Sequence, residues 1–156
     1  MKRILILVLF GWAAGALAEP APLVVNTSKS GRASVDTISA VHLEIPTGTT
    51  DLKKIRLGIV DGMMLTKGRV WTYEGEGDGY ILARFDYRGL IIVIRIEYDQ
   101  DLVQLKYYRA SKGLECSNLQ PDGICYKNHR NYYNYTKNLR ASIIRQLRVV
   151  SGGVTT

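Results

Sequence analysis

Residues 80–110 read YILARFDYRGLIIVIRIEYDQDLVQLKYYRA, and this stretch decides the fold. Apolar and polar residues alternate in three runs, Tyr80–Tyr87, Leu90–Tyr98 and Leu102–Ala110. A period of two marks strands that rest one face on a core. The connections Arg88-Gly89 and Asp99-Gln100-Asp101 are too short for anything but antiparallel neighbours. Alternation places Ile81, Ala83, Phe85, Ile92, Ile94, Ile96, Val103, Leu105 and Tyr107 on the core face. Arg84, Asp86, Arg95, Glu97, Gln104, Lys106 and Tyr108 fall on the opposite side, a mixed-charge solvent face of cross-strand pairs.

Upstream, Arg69–Glu74 carries Val70, Trp71 and Tyr73 and makes a fourth strand, with Gly75–Gly79 as a glycine-rich turn. Before it, Leu52, Ile55, Ile59 and Met63 recur at helical spacing, with Thr50 as N-cap and Asp51 at the positive end of the dipole. Gly58 and Gly62 weaken such a helix by about 1 kcal/mol each relative to alanine, and invite close packing on the sheet. Lys67 and Gly68 would close it. Downstream of the strands, Tyr132, Tyr135, Leu139, Ile143 and Leu147 form the apolar stripe of a helix spanning about Asn128 to Val149. The sequence therefore predicts an α+β domain over 50–150: an N-terminal helix, a four-stranded antiparallel meander and a C-terminal helix, both helices on one sheet face.

The flanks differ in composition. Met1-Lys2-Arg3 followed by apolar residues to Ala16, with Ala16-Leu17-Ala18 before Glu19, reads as a cleavable secretory signal over 1–18. A spanning helix needs about 20 apolar residues, and this run is shorter and meets Glu19, Pro20 and Pro22. No cysteine stands at the cleavage point. Residues 19–49 read as a leader, partly disordered or contributing one edge strand from Ser34–Ile45, and 151–156 as a frayed tail. The expected location is the periplasm or the cell exterior, with no transmembrane segment after cleavage. The formal charge of +7 falls to +5 without Lys2 and Arg3. Such an excess favours polyanions, and export points to an envelope protein or anionic envelope polymer and away from nucleic acid.

Cys116 and Cys125 are the only cysteines. In an exported chain a lone pair reads as a disulfide, here closing the loop Ser111–Lys127. A metal site would need more ligands than His129, and no CxxC redox motif occurs. The residues Glu74, Glu76 and Asp78 resemble the start of a calcium loop, but the twelfth position is Phe85 where a bidentate glutamate is required. No HExxH, no GxSxG elbow and no evident acid partner is present. No catalytic residue, metal or cofactor is expected, and the alternative is a small hydrolase pairing Ser111 with His129. A third possibility is an enzyme inhibitor acting through the disulfide loop.

Two features suggest an interaction face. Tyrosines bracket the cysteine loop, among them Tyr108 and Tyr132, either as a ligand groove or as core residues standing in for phenylalanine. The last helix carries Lys127, Arg130, Lys137, Arg140, Arg145 and Arg148 and no acidic residue. It is either a docking face for acidic polymer or anionic lipid or a solvated surface. Candidate interaction residues are Tyr108, Ser111, His129, Tyr132, Arg130, Lys137 and Arg140.

Trp71, the motif Tyr108-x-x-Ser111-x-x-Leu114 and the motif His129-x-x-Tyr132-x-x-Tyr135-x-x-x-Leu139 together resemble a group of small exported bacterial proteins of uncharacterised function. The resemblance covers about half of the chain, from Trp71 onward. It implies helix, β-meander and closing helix in a bacterial envelope protein, and no activity. The group usually has tyrosine, asparagine and tryptophan where this chain has Tyr132, Tyr133 and Tyr135. The Cys116–Cys125 pair lies outside its pattern. Thiol titration of the unfolded, unreduced protein is expected to find no free cysteine; two free thiols would remove the disulfide.

Overall fold

A computed structural model describes residues 19–29 and 33–153; the signal-like residues 1–18 and the end of the tail, 154–156, lie outside the described residues. The chain runs through α1 (Val35–His42), β1 (Ile45–Pro46), α2 (Leu52–Met64), β2 (Thr72–Gly77), β3 (Tyr80–Tyr87), β4 (Leu90–Tyr98), β5 (Leu102–Ala110) and α3 (Arg130–Val150). It is an α+β fold with three helices and a five-stranded antiparallel sheet in the order β1-β5-β4-β3-β2.

The meander forms as its alternation dictates. Arg88 and Gly89 both take positive φ, 51° and 78°, the geometry a two-residue type I′ hairpin requires. Asp99 accepts hydrogen bonds from the backbone of Asp101 and Leu102 at 2.7 and 2.8 Å, which turns the chain from β4 into β5. Ile81, Phe85, Ile92, Ile94, Ile96 and Leu105 are fully buried, in one cluster with Ile55, Ile59 and Met63 of α2 and Tyr132, Leu139, Ile143 and Leu147 of α3. Trp71 anchors the start of β2: its N–H donates to the Met63 carbonyl, and its ring lies 5.3 Å from Phe85, which stacks on Tyr135 at 4.4 Å.

Three expectations are corrected. Ser34–Ile45, read as strand-like, is mostly helix: Ser34 caps α1 by accepting from Thr37 N–H at 3.1 Å, and Ile38, Val41 and His42 form its buried stripe. The weak alternation of Ala40–Ile45 masked that period of three and four. A fifth strand exists, but it is only Ile45–Pro46, paired with Val103 and Leu102. The second correction concerns β2, which starts at Thr72 and runs through the supposed turn to Gly77, leaving only Asp78-Gly79 as the hairpin. A register shift at Glu74 allows this, and Arg84 of the neighbouring β3 and Arg109 of the more distant β5 converge on the Glu74 carboxylate.

The third correction concerns the solvent face. Glu97 and Gln104 are buried at 6% and 2% exposure. Residues of the leader lie against Gln104 and Lys106: Ala21 exchanges two hydrogen bonds with the Gln104 side-chain amide, at 3.1 and 2.8 Å, and Lys106 donates to the Glu19 carbonyl at 3.4 Å. The Glu97 carboxylate lies between Arg95 and Lys106, at 3.0 and 2.5 Å.

Gly58 and Gly62 pack on α3 and not on the sheet. A Cβ at Gly62 would stand 2.7 Å from the Ile143 Cα and 2.9 Å from its nitrogen, whereas one at Gly58 would meet side-chain atoms of Leu147 and Val150 at 3.1 Å. Backbone cannot yield as a leucine methyl can. Gly62→Ala is therefore expected to destabilise the domain by about 2–3 kcal/mol despite a helix-propensity gain of about 1 kcal/mol. Gly58→Ala is expected to be close to neutral, and urea unfolding of the two variants checks the order.

Candidate functional site

The loop after β5 is built around the Cys116–Cys125 disulfide, whose Cα atoms are 5.8 Å apart. Within it a small hairpin pairs Leu119 with Cys125, and Gln120 N–H donates to the Ile124 carbonyl at 2.9 Å. The loop lies along the outer edge of β5, where Tyr107 N–H donates to the Gly123 carbonyl at 2.9 Å. Ile124 and Tyr126 pack with Ile38 of α1 and with Leu23 and Val25 of the leader in a second cluster. The Tyr126 hydroxyl accepts from Asn26 N–H at 2.8 Å and donates to the Val24 carbonyl at 3.3 Å.

His42, a residue with no motif around it, joins these parts. Its side chain is fully buried. Cys125 N–H donates to Nε2 at 3.3 Å, so Nδ1 carries the proton and donates to the Leu105 carbonyl at 2.7 Å. The neutral ring thus bridges α1, the β5 edge and the disulfide loop. Burial lowers its pKa to about 4, against the opposing pull of the Leu105 carbonyl and the Asp122 carboxylate.

The candidate residues divide. Ser111 Oγ accepts from Ile91 N–H at 2.9 Å, extending the β4–β5 ladder by one side-chain bond. His129 is the N-cap of α3, its Nδ1 accepting from Asn131 N–H at 3.2 Å. Both side chains thus accept from backbone, and no hydrogen bond joins Ser111 to His129 among the described residues. Tyr108 sits at a register shift of β5 and is 49% exposed. Tyr132 is fully buried, edge-on to Tyr133 at 5.2 Å, and burial raises its phenol pKa well above the ordinary value. It is a core residue and offers nothing to a partner.

Arg140 is half-buried and donates to the carbonyls of Leu43 and Glu44, at 2.9 and 3.3 Å, tying α3 to the α1–β1 link. Desolvation lowers its pKa, opposed by Glu44. Arg130, Lys137, Arg145 and Arg148 are exposed along one line of α3. Every ion pair among the described residues belongs to α2 or the sheet, and none to α3. The cations of the helix and the acids of the sheet are segregated.

No protein-family model, curated protein or solved structure matches the chain. No helix among the described residues is long and apolar enough to cross a membrane, and no cluster of metal-ligating side chains occurs among them.

His42 yields a pH prediction. Its pKa is 6.5 unfolded and about 4 folded, so the unfolded chain binds the extra proton between these values. The stability from the neutral ring is complete above pH 6.5 and lost as pH falls to 4, about 3 kcal/mol in all. Urea unfolding from pH 7 to 4 is expected to show this loss in the native protein and not in His42→Gln, which is less stable at pH 7 but flatter.

Proposed function

We propose that the chain is an exported, non-catalytic binding module of the cell envelope that holds an anionic polymer against the solvent face of α3. The observation that carries this is the line Arg130, Lys137, Arg145 and Arg148, exposed and without an ion pair among the described residues, on a helix with no acid. Lys53, Lys54, Lys67 and Lys112 are likewise exposed and outside any ion pair among the described residues, so what sets the α3 cations apart is their alignment along one face of a helix without acids.

Spacing favours a polymer. At 1.5 Å per residue, Arg130 and Lys137 stand about 10 Å apart along the axis and the whole line extends about 27 Å. The Debye length at physiological salt is about 8 Å. Arg130, Lys137 and the pair Arg145 and Arg148, whose members stand only about 4.5 Å apart along the axis, therefore act as three nearly separate centres, and affinity accumulates on a partner that touches several at once. Insertion into lipid is a poor match, since the apolar stripe of α3, Tyr132, Leu139, Ile143 and Leu147, is committed to the core. Export is supported by the signal-like residues 1–18 and by the closed disulfide, which suits an oxidising compartment.

The test compares two charge-matched variants. Reversal of Arg130, Lys137, Arg145 and Arg148 to glutamate is expected to abolish retention on immobilised polyanion while the thermal midpoint shifts by only a few degrees. Reversal of Lys53, Lys54, Lys67 and Lys112, also exposed, is expected to leave retention largely intact. Equal loss in both would reduce the effect to net charge and end the assignment to α3.

A further inference from the structure

Two adjoining hollows open between α1 and the first half of α3. The larger, of about 500 Å³, has Thr37, Lys127, Arg130, Tyr133 and Asn134 among its lining residues. The smaller, of about 200 Å³, shares Thr37, Tyr133 and Asn134 and adds Asp36 and Lys137. They form one groove, running into the basic line of α3 at Arg130 and Lys137.

We infer that this groove is the recognition subsite for one acidic saccharide unit of the polymer. The inference rests on the proposed role of α3, and narrows the partner from polyanions in general to an acidic glycan. Three chemistries meet here. Tyr133, 7% exposed and lining both hollows, supplies the apolar part of the floor for the C–H face of a sugar ring. Lys127, Arg130 and Lys137 stand at the rim, exposed and outside any ion pair among the described residues, and meet the acid group. Asn134 and Asp36 are exposed, and their side chains take part in no hydrogen bond among the described residues; an amide and a carboxylate here match sugar hydroxyls. A bare phosphate has no use for the floor, and a neutral sugar none for three cations. The volume of the larger hollow lies in the usual range of ligand sites, about 300–1,000 Å³.

Arg145 and Arg148 lie beyond the groove: Arg145 is eight residues past Lys137, about 12 Å along the helix. They would hold neighbouring units of a long chain by charge alone. Tyr133 also serves the loop, its hydroxyl donating to the Cys125 carbonyl at 3.2 Å, so the floor of the groove is fixed by the disulfide region.

The experiment titrates the exported protein, disulfide intact, with tetragalacturonate, a hexose phosphate, maltotetraose and inorganic phosphate, and in parallel measures retention on long polygalacturonate and heparin. An acidic saccharide, carboxylated or phosphorylated, is expected to bind, and the neutral oligomer and inorganic phosphate are not; the two acidic probes tell which anion is preferred. Asn134→Ala leaves the net charge unchanged and is expected to weaken the short acidic ligand about fivefold to tenfold, the worth of about one hydrogen bond. Asn134→Trp, which fills the groove, is expected to abolish it. Reversal of Arg145 and Arg148 is expected to weaken long polygalacturonate more than the tetramer. The groove is overturned if both acidic saccharides fail while heparin is retained, if inorganic phosphate or the neutral oligomer binds as well as they do, or if neither Asn134 variant changes their affinity. Loss of all retention on long polyanions would instead overturn the role of α3 itself.

Discussion

Helix α3 touches α2 at backbone distance, and most of the molecule follows from that contact. With no side chain at Gly62, the Ile143 backbone settles where a Cβ would otherwise stand, 2.7 Å from the Ile143 Cα. So close a seat leaves little rotational freedom, because both helices present ridges that must interlock. Once Ile143 faces α2, Tyr132, Leu139 and Leu147 must enter the core and Arg130, Lys137, Arg145 and Arg148 must face water. The cost of two glycines inside α2, about 1 kcal/mol each in helix propensity, fixes which side of α3 a partner can meet.

The second organising feature is the separation of charge. Glu74 and Glu97 sit between strand cations, two arginines around one and Arg95 with Lys106 around the other. These pairs close locally and leave the sheet with little outward field. The helix, having no acids, projects its own field undiluted. A modest net charge can therefore understate how basic one surface is.

The parts of the fold visible in sequence were those set by local rules. The β3–β4 hairpin was legible because Arg88-Gly89 suits a two-residue turn and Ile81, Ala83 and Phe85 before it and Ile92, Ile94 and Ile96 after it recur at every second position. The disulfide was legible because two cysteines in a chain with a signal-like start have few alternatives. Helix α1 was not, being eight residues long with a stripe that overlaps an alternating run. The burial of Gln104 depends on Ala21, eighty-three positions away, and no local pattern encodes it. Among candidate residues, Arg130 and Lys137 were singled out by charge bias alone, and both are exposed on α3. Tyr132 and Arg140 share their helix but face other neighbours, a distinction that rests on the exact seat of α3. His42 gave no signal, since a single histidine in an apolar helix looks the same whether it packs or bonds.

The arrangement along β5 has a consequence for the life of the chain before it is complete. Strand β1 covers only Leu102 and Val103, while His42 occupies the Leu105 carbonyl and the disulfide hairpin occupies the Tyr107 amide. Without the crosslink, the hairpin rests only on the packing of Ile124 and Tyr126 and on hydrogen bonds through Tyr107, His42, Tyr126 and Tyr133, and where it lifts, the flank of β5 is a template for another strand. The opposite border of the sheet, β2, carries its own guard in the irregularity at Glu74 and the charges gathered on it. Oxidation thus does more than add stability: closing Cys116–Cys125 holds in register the hairpin that covers this flank while the chain folds.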